Sequence, residues 1–224
     1  MVDGSAAAGE SSKTLDRGIR LLELLLASDA PGDAAGLTIT QLAAGLEVGR
    51  PVVYRLVATL EQHRLVVRRE GGRIRLGAGL TRLAAGAVPV IQAEALPVLR
   101  RLADSCGATA HLTIAEGDQA LALVVVEPTW TDVHVAYRSG ARHPLTQGAA
   151  GRAILAGRDG RFDLVATDGE LQSGAHGLAC PLQTSAFPAP ALDASVGVVS
   201  LEPLSTEVGP RLLAAARTLG ELLR

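Results

Sequence analysis

The sequence predicts an α+β chain made of an N-terminal winged helix-turn-helix, a linker helix and a C-terminal domain with an antiparallel sheet. Three observations carry this prediction. Residues 37–76 run LTITQLAAGLEVGRPVVYRLVATLEQHRLVVRREGGRIRL, which is the order helix, tight turn, helix and basic hairpin. Helical apolar spacing then continues to Gly107. Beyond it the period becomes the alternation of paired strands, with helical spacing returning briefly at 147–156 and again at the end.

Residues 1–12 are Gly, Ala, Ser and acid without periodicity and read as a flexible tail. Thr14 is placed to cap a support helix with Leu15, Ile19, Leu22 and Leu26 on one face, and Asp29, Pro31, Gly32 and Asp33 stop it. Thr38 and Gln41 form a capping box, with Leu37 and Leu42 at the positions of a hydrophobic staple. Gly45 and Gly49 bracket the turn. In the second helix Val53, Leu56, Val57 and Leu60 make the inward stripe, and Pro51 suits the first helical position.

The opposite side of that helix is left for a partner. A recognition helix enters the major groove by its N-terminal half, which selects Arg50, Val52, Tyr54 and Arg55, with Thr59 and the capping Thr38 at the margins. Residues 65–69 and 73–76 read as a hairpin turning through Glu70, Gly71 and Gly72. Ile74 and Leu76 face inward there, while Arg73 and Arg75 alternate outward toward phosphates, with Arg68 and Arg69 adding charge on the facing strand. Seven arginines against three glutamates leave residues 46–76 at +4, inside a chain whose formal charge is −2. The positive charge is local, which suits one nucleic-acid-binding face.

With 224 residues the chain can bury a core without disulfides, and its two cysteines, Cys106 and Cys180, read as buried thiols of a reducing cytoplasm. The N-terminus lacks the charge-then-apolar order of a signal peptide, and the most hydrophobic run, 120–126, is strand-sized. A cytoplasmic protein is expected. Aromatic residues make up only 2% of the chain, so base stacking on an aromatic platform is not its mode of binding.

Residues 78–93 read as the linker helix, and a domain boundary is expected near residues 77–90. Leu96, Leu99, Leu102, Ala103 and Cys106 keep helical spacing up to Gly107, and Pro97 starts or kinks that helix. Next comes a strand at 108–115, with Thr109, His111 and Thr113 on one face and Ala110, Leu112 and Ile114 on the other. Strands are also expected at 119–126, 133–138, 177–182 and 196–202, and a closing helix after Pro210.

The stretches LDRGIRLLELL and VVYRLVATLEQHRLVVRREGGRIRLG resemble the opening helix, recognition helix and wing of the IclR-type transcriptional regulators. RHPLTQGAAGRAILA is similar to a strand-to-helix motif of that family's sensor domain, and DGELQSGAHGLACPL and SVGVVSLEP resemble its two closing strands. The resemblance covers nearly all of 13–224. It implies a winged head over 13–77 and a GAF-like effector-binding and oligomerisation domain over 94–224. It further implies a homodimer or homotetramer on a near-palindromic DNA operator, and an affinity set by a small organic effector, often a carboxylate or an aromatic breakdown product. The effector-contacting positions it implies are Gly148, Ala149, Asp168, Gly177, Ser200 and Glu202.

Two glycines at a helix start, Gly148 and Gly151, independently suit an anion. This sequence departs from the family pattern in several places. Pro51 and Val52 stand where a Ser-Thr pair is common, residues 158–167 are short, and Glu202 replaces a hydroxyl. A C-terminal domain that only oligomerises is therefore the alternative. A zinc set of His111, His134, His143 and His176 with Cys180 matches no closed spacing, and no metal or other cofactor is expected. A hydrolase would need Cys180 or Ser200 as nucleophile with His176 or His111 as base, and no elbow, phosphate loop or paired-carboxylate signature accompanies them. The chain is read as a regulator and not an enzyme.

Overall fold

Apolar packing divides the chain between Ala87 and Val88 into two units, each with its own core. The computed structural model describes residues 12–28, 36–131, 135, 137–182 and 192–223. In the first unit, helix α1 (Lys13–Ala27) opens on Ser12, whose Oγ accepts from the Leu15 N–H at 3.4 Å. The cap is therefore Ser12 and not Thr14, which lies inside the first turn. Gly18, Leu21 and Leu25 turn inward, while Leu15, Ile19 and Leu26 are 64%, 49% and 59% exposed. This corrects the expected apolar face. Five leucines between residues 21 and 26 make the apolar arc too wide for periodicity to choose its inner edge, and the choice falls to tertiary packing.

Strand β1 (Leu37–Thr38) leads directly into α2 (Ile39–Gly45). The expected capping box is formed: the Thr38 N–H donates to Gln41 Oε1 at 2.9 Å and the Gln41 N–H to Thr38 Oγ1 at 3.3 Å. Helix α3 (Arg50–Gln62) starts at Arg50, so Pro51 takes the second helical position, still within the turn whose N–H groups lack helical acceptors. The wing is β2 (Val66–Arg68) and β3 (Arg73–Leu76), joined through Gly71 and Gly72 at φ +74° and +72°. Strand β1 completes a three-stranded antiparallel sheet by pairing Leu37 with Ile74, a strand too short to leave a period. Leu21, Leu25, Leu42, Val53, Val57, Val66 and Ile74 close one core.

Helix α4 (Gly79–Cys106) is a single element of 28 residues with Pro89 and Pro97 inside it, where a linker and a separate helix were expected. Each proline forfeits one intrahelical hydrogen bond. Burial of Ala95, Val98, Leu99, Leu102 and Ala103 holds the second half in place, Leu96 points outward, and Gly107 follows at φ +63°. By length and composition α4 is long and apolar enough to cross a membrane, contrary to the expectation that no segment is. Its buried face from Ala95 to Ala103 accounts for the apolarity of that half as core packing.

The second unit continues with β4 (Thr109–Glu116), β5 (Gln119–Val126), β6 (Arg142–Pro144), α5 (Gly148–Arg158), β7 (Val165–Asp168), β8 (His176–Pro181), β9 (Ala194–Ser200) and α6 (Val208–Leu222). All strand pairs are antiparallel, in the order β6-β5-β4-β9-β8-β7. The strand expected at 133–138 is partly outside the described residues. Within the described ones Tyr137 and Arg138 are not in a strand, and β6 forms that edge.

Alternation sorts the side chains of this sheet. Ala110 and Leu112 of β4, Cys180 of β8, and Val196 and Val198 of β9 join α4 and α6 in one core. The residues of opposite parity meet α5: Ala179 packs on Ala149 and Ala153, and Ser195 Oγ donates to the Ala150 carbonyl at 3.0 Å. His111 stands directly across from Gly197. A Cβ at Gly197 would lie 2.5 Å from His111 Cε1, so this glycine is what leaves room for the imidazole.

Replacing Gly197 by Ala should therefore destabilise the C-terminal unit by about 1–3 kcal/mol, the usual penalty for overpacking. Gly18→Ala, inside α1 where an added Cβ meets nothing within 4 Å, should stabilise the N-terminal unit by about 0.5–1 kcal/mol. Urea denaturation of both variants beside the parent protein measures the two opposite signs.

Candidate functional site

The N-terminal unit presents one face of α3. Arg50, Tyr54, Arg55 and Thr59 are exposed there and Val52 is half-buried, because Val53, Leu56 and Val57 take the inward stripe. The Thr59 hydroxyl donates to the Arg55 carbonyl at 3.1 Å, leaving its lone pairs outward. Beside this face lies a cleft lined by Thr14, Arg17, Val52, Arg55, Leu56 and Thr59. Arg17 comes from α1 and was not singled out in the sequence. Its position against α3 depends on how α1 packs, which no local pattern states.

The remaining candidates of this unit stand differently. Thr38 spends its hydroxyl on Gln41, donating to Oε1 at 3.0 Å and accepting from the backbone N–H. Arg73 donates from Nη1 to the Gly36 carbonyl at 2.9 Å, and the Arg75 side chain packs against Gly36, where a Cβ would lie 2.7 Å from its Cγ. Both arginines are half-buried, so they hold the entry to β1 as well as facing outward. The exposed cations of the wing are Arg68 and Arg69, and Arg68 keeps a long contact of 3.9 Å to Glu61.

The C-terminal unit contains a cavity of about 250 Å³ on the α5 side of its sheet. Gly148, Ala149 and Gly177 line it, together with His111, Tyr137, His143, Glu170 and Leu171. Asp168, Ser200 and Glu202 do not line it. Asp168 is exposed and pairs with His176 Nδ1 at 3.3 Å. Ser200 follows the parity of Val196 and Val198, whose side chains join the core with α4 and α6, and its Oγ accepts from the Glu202 N–H at 3.0 Å beyond the strand end. The expectation of a shared wall for these two residues required the strand to continue to Glu202, and β9 stops at Ser200.

The polar groups of the cavity are specific. His111 is buried, its Nδ1 lies 3.1 Å from Thr113 Oγ1, and its ring meets Tyr137 edge-on at 5.4 Å. Burial, and secondarily the charge of His143, pulls the His111 imidazole down to about 4. Burial also raises the Tyr137 phenol above its usual range, with Thr113 opposing. His143 is buried with Nδ1 at 3.1 Å from the Pro144 carbonyl, and its Nε2 has no hydrogen-bond partner among the described residues. At the start of α5 the Gly148 N–H donates to Glu170 Oε2 at 2.9 Å, and Arg152 Nη2 lies 3.0 Å from Glu170 Oε1.

Sequence reasoning missed His143 and Glu170 as cavity residues because each sits next to a turn and reaches the site through tertiary folding. Among the described residues no group of three or more His, Cys, Asp or Glu side chains could hold a metal ion, and His134 lies outside them. Cys180 is buried in the core beside α4 and α6, and burial pushes its thiol to about 12, so it carries no thiolate nucleophile near neutral pH.

Two family models match the chain: the IclR helix-turn-helix domain over residues 14–70 and the bacterial transcriptional regulator IclR C-terminal over residues 86–162. The "probable transcriptional regulator SauR" of Cupriavidus necator is 29% identical over 154 residues, 66% of this chain and 58% of that protein. The chain spans only about half the length of the curated relatives it matches, between 50% and 58%. Among solved structures, the IclR transcriptional regulator of Alicyclobacillus acidocaldarius superposes with a TM-score of 0.52 at 21% identity, covering 95% of this chain and 98% of that one. An IclR homologue of Microbacterium hydrocarbonoxydans complexed with 4-hydroxybenzoate gives 0.51 at 18% identity, covering 94% and 98%. At these identities the likeness is one of fold.

The position of His111 makes stability depend on pH. Its folded value of about 4 lies below the unfolded 6.5, so between those limits the unfolded chain binds the extra proton. The stabilisation is complete above about pH 6.5 and is lost as pH falls toward 4. Denaturation at pH 7.0 and pH 4.5 should show that loss, and His111→Gln should shrink the difference between the two pH values.

Proposed function

The chain belongs to the IclR family of bacterial transcriptional regulators, and on that premise we propose that it is a sequence-specific DNA-binding regulator whose operator affinity answers to a small organic molecule held in its C-terminal cavity. The DNA half rests on the outward face of α3, where Arg50, Tyr54 and Arg55 stand exposed at the end of the helix that enters a major groove in this motif. Arg68 and Arg69 on the wing suit flanking phosphates. Arg73 and Arg75 contribute there while bracing Gly36.

The observation that carries the ligand half is the Nε2 of buried His143, which has no partner among the described residues and lines a cavity of mixed polar and apolar walls beside the equally unpartnered Tyr137 hydroxyl. A buried polar atom left without a partner is costly, and a ligand that supplies one recovers that cost. The volume of about 250 Å³ fits a compound with a single ring, the size class of the 4-hydroxybenzoate bound by the Microbacterium homologue. Gly148, Ala149 and Gly177 line that cavity and support a role in holding the ligand, whereas Asp168, Ser200 and Glu202 do not line it.

The regulator acts as a homodimer or homotetramer in the cytoplasm, each pair of heads on a near-palindromic operator. Ligand binding is linked to operator affinity through α4, whose residues divide between the two units.

Fluorescence anisotropy with the protein's own promoter and with a random duplex, across a salt series, tests the division of roles. Arg55→Ala should lose about 1–3 kcal/mol on the operator with little loss on random DNA. Arg69→Ala should weaken both about equally and lower the salt slope by about 1. Absence of binding to any duplex at low salt would overturn the reading.

A further inference from the structure

The ligand class of the cavity is written in what already occupies its charged corner. The loop between β7 and β8 turns through Gly169 and Gly174, at φ +66° and +76°, and is closed by the Gly169 N–H donating to the Ala175 carbonyl at 2.9 Å. It brings two side chains onto the start of α5. Leu171 lies against Gly148, where a Cβ would sit 2.5 Å from its Cδ1. Glu170 accepts from the Gly148 N–H and pairs with Arg152, the position and partners that a bound carboxylate would take at a helix N-terminus.

Arg152 stands behind Glu170 and does not line the cavity; Arg142, which does, is paired with Glu116 at 2.5 Å. Both cations near the site are thus answered by carboxylates of the chain itself. His143 adds an independent requirement. A carbonyl oxygen only accepts, so in the neutral imidazole the contact of Nδ1 with the Pro144 carbonyl places the ring proton on Nδ1 and leaves Nε2 as an acceptor. The cavity therefore lacks a donor at His143 and already holds an anion at α5. A carboxylate group supplies no donor and adds a like charge beside Glu170, whereas a hydroxyl group in its place is uncharged and supplies a donor.

Resting on the reading of this cavity as a ligand site, we infer that it selects an uncharged, hydroxyl-bearing ring compound over the corresponding carboxylate, with Glu170 as the resident anion and His143 Nε2 accepting the ligand hydroxyl. Glu170 is then a specificity-determining residue. It holds the loop over the α5 N-terminus and excludes acids from it.

Isothermal titration of the full-length protein with a matched pair, 4-hydroxybenzyl alcohol and 4-hydroxybenzoate, tests this, with phenol as a minimal third probe. The alcohol should bind at least tenfold more tightly than the acid. Glu170→Gln, which keeps an acceptor for the Gly148 N–H, should narrow that gap by raising affinity for the acid. His143→Phe should weaken the alcohol by tenfold or more. Equal or tighter binding of 4-hydroxybenzoate to the unaltered protein overturns the inference while leaving the ligand site standing. Should none of the three probes bind either the unaltered protein or Glu170→Gln, the ligand-site reading falls and the inference with it. If Glu170→Gln fails to fold by circular dichroism, the alcohol-to-acid ratio of the unaltered protein still decides.

Discussion

The two-residue alternation of β4 and β9 is the constraint on which the C-terminal unit depends. One parity of these central strands carries Ala110, Leu112, Val196 and Val198 into an apolar core against α4 and α6. The other carries Thr109, His111, Thr113, Ser195 and Gly197 toward α5. Because a strand cannot send two successive side chains to one face, the same residues that make a dry core on one side oblige a polar, glycine-relieved wall on the other. Gly197 opposite His111 is the sharpest case, since the imidazole occupies the volume that any side chain at 197 would need. A buried, neutral histidine and a small cavity beside it are consequences of that register.

The electrostatics of the cavity follow from α5. Its first N–H groups concentrate partial positive charge, and the chain answers with Glu170, fixed by Arg152 and by the short loop between β7 and β8. A carboxylate is stable in that position because three favourable terms converge on it: a backbone donor, a guanidinium and the helix terminus. The neighbouring His111 is held neutral by burial. Selectivity there is set by which hydrogen-bonding groups remain unanswered.

The N-terminal unit solves a different problem with few residues. Its sheet is short, and the entry to α2 is fixed by the reciprocal Thr38–Gln41 bonds, by pairing of Leu37 with Ile74 and by the Arg73 bond to Gly36. Arg73 and Arg75 thus brace the wing as well as charging it, and Arg68, Arg69 and the α3 arginines are exposed. Arg17 joins them from α1 by packing alone.

Much of this was legible locally. Capping is a contact between residues three apart, so Thr38 and Gln41 announced the start of α2. The spacing of Val53, Leu56 and Val57 fixed which side of α3 is left for a partner, and alternation in 109–114 set the two faces of β4 correctly. What the sequence left open involved choices between equally good local answers or contacts with no local signature. A leucine-rich arc let α1 turn either edge inward, two prolines did not divide α4, and a strand of two residues had no period. Ser200 and Glu202 shared a face only for as long as the strand lasted. Glu170 reaches Gly148 across 22 positions, and the His143 Nε2 is left without a partner among the described residues only because folding buries it. Periodicity and capping are short-range physics and can be read along a chain, whereas which polar atom is left unpaired is decided by burial, and burial exists only in the folded state.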